Sequence, residues 1–111
     1  MANGNKDEEK TIINNTTSIV GDITAKENFI VNGTVKGSIK IGGHSLLLGS
    51  KGRIEGDVDA QNVKIFGHMT GDIKATGNVE ITKEANYSGK VTSKGISVEN
   101  GANFNASVKL G

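Results

Sequence analysis

Gly71-Asp72-Ile73-Lys74-Ala75-Thr76-Gly77-Asn78-Val79-Glu80-Ile81 is two short runs in which every second residue is apolar, joined by a tight corner. Its opening phrase recurs along the chain. Gly-Asp-Ile-Thr-Ala starts at Gly21, Gly-Ser-Ile-Lys-Ile at Gly37, Gly-Asp-Val-Asp-Ala at Gly56, Gly-Lys-Val-Thr-Ser at Gly89 and Ala-Ser-Val-Lys-Leu at Ala106. Successive starts lie 16, 19, 15, 18 and 17 residues apart. A period of this length marks a repeat architecture in which each unit buries its apolar face against its neighbours.

Aligned on that phrase, each period resolves into three strands. The first carries two inward columns: Ile23, Ile39, Val58, Ile73, Val91, Val108, and Ala25, Ile41, Ala60, Ala75, Ser93, Leu110. The second carries Phe29, Leu46, Val63, Val79, Ile96, and Val31, Leu48, Ile65, Ile81, Val98. The third contributes Val35, Ile54, Met69, Tyr87 and Phe104. Apolar residues at i and i+2 share a face in a strand and not in a helix. Nothing between the runs is long enough for a crossover helix. The pattern predicts an all-β fold: a single-stranded parallel β-helix, or solenoid, with three short strands per coil of about 17 residues and about six coils. It starts with a partial coil near Thr11, so the domain division is a disordered polar tail over residues 1–10 and a β-helix over 11–111.

Composition agrees. The 111 residues include 16 Gly, no Pro, no Trp and no Cys, with aromatics at 4%. Turns are many, the core is narrow, and there is no disulfide or thiolate metal site. Thirteen basic residues against 12 acidic ones give no electrostatic reason to expect nucleic acid. No apolar run forms a secretion signal or spans a bilayer. The Gly column and the residues ahead of the second strand, Asn28, Ser45, Asn62, Asn78 and Gly95, mark two corners and are expected to use left-handed backbone. The third corner, short at Ile65-Phe66-Gly67 and longer at Ile81-Thr82-Lys83-Glu84-Ala85, absorbs the uneven spacing.

No constellation carries chemistry. His44 and His68 read as separate surface residues, and Asp57 and Asp72 as part of a flat charged face with Lys40, Lys74 and Lys90. The glycines recur once per coil and answer to corners rather than to a phosphate. No catalytic residue, cofactor or metal is expected, and the chain is not read as an enzyme.

Two features suggest self-association. The sequence closes at Leu110-Gly111 straight after a strand phrase, so Phe104, Val108 and Leu110 are expected to stand open at the C-terminal end, and Ile13 and Ile19 at the other. Open strands template pairing, which predicts end-to-end polymerisation. Second, the outward column of the second strand begins Ile12, Ile30, Leu47, with Phe66 one corner away. This apolar stripe is a candidate for lateral or membrane contact.

The phrases Ile-Val-Gly-Asp-Ile-Thr-Ala, Phe-Ile-Val-Asn-Gly-Thr-Val-Lys-Gly-Ser-Ile and Gly-Arg-Ile-Glu-Gly-Asp-Val-Asp-Ala resemble those of bactofilins, over about residues 16–110. The resemblance implies a right-handed β-helix that polymerises without nucleotide into bacterial cytoskeletal filaments. It also implies a cytoplasmic scaffold, often beneath the inner membrane, that organises cell shape or cell-wall proteins. The sequence departs from many members in its polar first ten residues, which lack a hydrophobic targeting motif. The alternative reading is a non-polymerising solenoid serving as a binding or spacer module of a larger assembly.

Overall fold

Branched apolar residues alternating with polar ones form thirteen strands among residues 10–110, the part of the chain that the computed structural model describes. In chain order they are β1 Lys10–Ile13, β2 Ser18–Val20, β3 Ile23–Thr24, β4 Asn28–Val31, β5 Thr34–Lys40, β6 Ser45–Leu48, β7 Arg53–Ala60, β8 Asn62–Ile65, β9 His68–Ala75, β10 Asn78–Ile81, β11 Asn86–Ser93, β12 Gly95–Val98 and β13 Asn103–Leu110. The expected tail lies outside the described residues apart from Lys10, which opens β1.

All pairings are parallel and join successive coils. One sheet runs β1-β4-β6-β8-β10-β12; the other runs β13-β11-β9-β7-β5-β2, with β3 also on β5. The registers reproduce the expected columns: Val35 pairs with Ile54, Ile54 with Met69, Met69 with Tyr87 and Tyr87 with Phe104. The inward side chains stack into one narrow core, in which Val31, Val35, Ile39, Leu48, Ile54, Ile65, Val79, Ile81 and Val91 have no exposed surface. The parallel β-helix expectation holds, with about six coils.

The glycine corner is a bend inside one strand rather than a break between two. Third and first strands run on as the seven- and eight-residue β5, β7, β9 and β11, and the ladder continues through Gly37 onto Gly56 and through Gly71 onto Gly89. Gly21, Gly37, Gly56, Gly71 and Gly89 hold φ between 130° and 145°. Space enforces the same choice. A Cβ on Gly37, Gly56, Gly71 or Gly89 would lie between 1.7 and 2.0 Å from the carbonyl oxygen of the column glycine one coil earlier.

The other expected left-handed corner is corrected. Among the described residues no residue other than glycine has positive φ, and Gly95 has none either. The asparagines act through their side chains instead. Asn28 Oδ1 accepts from the Ser45 amide at 2.9 Å, and Asn62 Oδ1 from the Asn78 amide at 3.0 Å. Each amide satisfies a backbone donor of the next coil where the chain turns. At the third corner the longer versions close as tight turns, with Thr17 N on Asn14 O, Gly52 N on Gly49 O, Ala85 N on Thr82 O and Ala102 N on Glu99 O.

Tyr87, the single tyrosine, is buried in the third-strand column. Its hydroxyl lies 2.6 Å from the Gly71 carbonyl and 2.8 Å from that of Lys90, and donates its one hydrogen between them. Burial above all, then the Asp72 carboxylate, pushes the phenol far above its ordinary value.

Gly56→Ala is expected to cost more than about 2 kcal/mol, because it adds a carbonyl clash to a strained φ. Gly21→Ala, where a Cβ would meet nothing within 4 Å, carries the backbone strain alone, about 1 kcal/mol. Denaturant melts followed by circular dichroism should rank them so. For Tyr87 the raised folded value means that stability from the neutral phenol is full below pH 10, the unfolded value, and is lost above it as the unfolded chain ionises first. Tyr87→Phe should lower stability by about 1–2 kcal/mol at neutral pH. It should also remove that part of the alkaline decline, as pH-dependent melts of the two proteins will show.

Candidate assembly surfaces

A solenoid places its unsatisfied surface where the stack stops. β12 and β13 are the last strands of the two sheets among the described residues. Their inward side chains continue the core columns, and no further coil covers them among the described residues. Val98 is 43% exposed, Val108 41% and Leu110 63%, against essentially zero one coil earlier. Phe104 is half-buried, its ring stacked on Tyr87 with centroids 5.7 Å apart and planes at 27°. Ala106 stands in the glycine column opposite Gly89 without a positive φ, so the last coil leaves the glycine geometry.

Phe104, Val108 and Leu110 therefore share one end. Ile96 and Val98 of β12 join them there. Both stand in the core columns of the sequence, and among the described residues the last member of each inward column has no neighbour beyond it.

The N-terminal end differs. Ile19 of β2 is half-buried, with Ile23 and Ala25 beside it against the core. Ile13, expected to stand open, is buried at 4% exposure. The chain turns tightly just after it, and its Cγ2 lies 3.1 Å from where a Cβ on Gly33 would stand. The turn is fixed by Asn14 Oδ1, which accepts from the Thr16 amide and from the hydroxyls of Thr16 and Thr17. Thr11 of β1 also donates its hydroxyl to the Glu27 carboxylate of the next coil.

The outward stripe is in register: Ile12 opposite Ile30, Ile30 opposite Leu47 and Leu47 opposite Lys64. Ile12 is 56% exposed, and Ile30 and Leu47 are half-buried. Phe66, expected to be exposed beside them, is half-buried because the Lys64 ammonium sits over its ring, 5.3 Å from the centroid. Lys64 also lies 3.6 Å from the Glu80 carboxylate, which closes the apolar run with an ion pair.

The remaining candidates stay apart. His68 Nε2 lies 3.3 Å from Asn86 Nδ2, and among the described residues no three His, Cys, Asp or Glu side chains gather to hold a metal. On the charged face Lys40 lies opposite Asp59 and Asp59 opposite Lys74, while Ser38 donates to Asp22 at 2.8 Å. This arrangement balances charge along the sheet. No helix among the described residues is long and apolar enough to cross a membrane.

Comparison with known proteins agrees with the geometry. Residues 11–109 match the family model described as "Bactofilin: Polymer-forming cytoskeletal". The chain is 34% identical over 100 residues to bactofilin BacO of Myxococcus xanthus (strain DK1622), covering 90% of this chain and 79% of that protein. It is 27% identical over 103 residues to bactofilin BacP of the same organism, covering 93% of this chain and 42% of that one. Among solved structures it is similar to the Thermus thermophilus bactofilin reconstructed by cryo-electron microscopy as double helical filaments: TM-score 0.84, 30% identity, 91% of this chain and 99% of that one. A crystal structure of a phenylalanine-to-arginine mutant of Thermus thermophilus bactofilin gives a TM-score of 0.76 at 30% identity, covering 82% of this chain and all of that one. The glycine-bent parallel solenoid, the family match along nearly its whole length and the identity to a curated member together place this chain in the bactofilin family.

Proposed function

We propose that this chain is the subunit of a nucleotide-independent cytoskeletal filament, built by stacking solenoids end to end, and that its role is structural rather than catalytic. The observation that carries the reading is the C-terminal end, where the inward columns finish in exposed Val98, Val108 and Leu110 beside half-buried Phe104. A second rod end brought onto it continues both ladders and covers these side chains. Burying ~400 Å² of apolar surface at ~25 cal/mol per Å² is a gross gain of ~10 kcal/mol before the cost of association. Strand pairing and burial supply the driving force, so no nucleotide is needed. Ile19, with Ile23 and Ala25, is the contact at the other end, and Ile13 supports it from inside its own coil.

The filaments described for the Thermus thermophilus relative support this reading. The filament would act as a cytoplasmic scaffold, free or at the inner face of the membrane, that positions proteins shaping the cell or its envelope. The charged face and the short corners give such a scaffold surface for partners.

Negative-stain electron microscopy of the purified chain without nucleotide should show thin filaments. Phe104→Arg should keep the strand signature in circular dichroism while raising the concentration needed for assembly about 100-fold, because an arginine at a desolvated junction is costly. A folded Phe104→Arg protein that pellets at the wild-type concentration would remove Phe104 from the junction. A wild-type chain that stays monodisperse at high concentration would remove the filament.

A further inference from the structure

The outer face of β1, β4 and β6 is unlike the rest of the surface. It carries Ile12, Ile30 and Leu47 in unbroken register over three coils. The column flanking it reads Lys10, Asn28, Ser45 and Asn62, with one charged residue at its N-terminal end. The fold does not demand this, since the same column continues as Lys64, Glu80 and Ser97. Resting on the filament reading above, we propose that this face is the lateral contact through which two filaments of this chain pair, stripe against stripe.

Charge and area select a second copy as the occupant. An anionic bilayer attracts clustered lysines and arginines, whereas the column flanking this stripe holds Lys10 alone and is otherwise amides and a hydroxyl. Flat sheet faces with interdigitating aliphatic side chains pack on one another. Three strands of four residues cover about 13 Å by about 14 Å, or roughly 190 Å² per copy. The total of roughly 380 Å² is far below the roughly 1,200 Å² of a stable pairwise interface. Two free subunits are therefore not held together by this face. In a filament the stripe returns with every subunit, about every 30 Å for six coils, and the contacts add along the polymer. Lateral pairing thus follows axial assembly. A stripe that drifts around the axis from subunit to subunit winds the two filaments about each other, as a drifting apolar seam does in coiled coils. Double helical filaments are the form reported for the Thermus thermophilus relative. The ion pair of Lys64 with Glu80 ends the contact and limits it to half of each rod.

The test is the double variant Ile30→Lys/Leu47→Glu. It turns the column into Lys, Glu, Lys64, Glu80, repeating a pairing the fold already carries, so coil folding is kept. Electron microscopy and mass-per-length measurement should find paired filaments for the wild type and single filaments of half the mass per length for the variant, at an unchanged critical concentration. Paired filaments in the variant would overturn the proposal. So would single filaments in the wild type that sediment with phosphatidylglycerol vesicles, with the variant failing to do so, since the face would then be a membrane contact. A variant that folds but forms no filaments would also overturn it, by making the face part of the axial junction. A wild type that forms no filaments sinks the filament reading itself, and lateral pairing with it.

Discussion

Everything in this molecule hangs on the stacking of one coil's backbone into the space that a side chain would need in the next. At Gly37, Gly56, Gly71 and Gly89 the preceding carbonyl occupies the Cβ position, and the φ of 130–145° lets the strand bend there without leaving its ladder. The ladder therefore survives the corner, and third and first strands become one. A register held by continuous backbone pairing puts like on like: valine and isoleucine over valine and isoleucine, glycine over glycine, asparagine amide over backbone amide. That is why a core with so few aromatics suffices. Its side chains need to match a neighbour above and below, and little else.

A stack of this kind is quasi-one-dimensional, with each coil stabilised by its two neighbours. The interior residues lose all exposure while chemically equivalent residues in the last coil keep about half of theirs. Assembly at an end is then the folding reaction carried one step further, with the same ladders and the same columns. The two ends are not mirror images. At one, the Asn14 turn closes beside Ile13 and leaves Ile19 and Ile23 partly covered. At the other, Ala106 departs from the glycine bend, and the strand beyond it carries Val108 and Leu110 into the open.

Columns, registers and the end residues of β13 could be read from the sequence because the period does the alignment: one copy of the repeat predicts the partner of every residue in the next. Matters decided by direction within a corner could not be read. Asparagine at a turn fits two devices, a left-handed backbone or a side-chain oxygen offered to the next coil, and composition does not separate them; Asn28 and Asn62 use the second. Ile13 has the alternation of an end residue, but the turn that follows it decides its exposure. Phe66 looks exposed until the Lys64 ammonium is placed over its ring. The fusion of two strands through a glycine leaves no mark in the sequence, since a bent strand and a broken one ask for the same residue. Ile96 and Val98 were visible as column members, and their position at the end of the stack followed from counting coils.

The inward and outward columns carry different information. Inside, alternation and register force apolar on apolar, so a run of isoleucine and valine says only that the solenoid closes. Outside, the ladder holds the backbone together whatever the side chains are, and Lys64, Glu80 and Ser97 show that charge and hydroxyl are accepted there. The fold has no use for Ile12, Ile30 and Leu47 in that column, and exposed apolar surface in a monomer is a liability. A feature that costs solubility and adds nothing to the core points to a contact outside the chain. Confined to three coils and ended by an ion pair, the proposed lateral contact would be too small to hold two subunits and, repeated along a polymer, large enough to hold two polymers. The same one-dimensional repetition that builds the core from weak coils would then build a paired filament from weak faces.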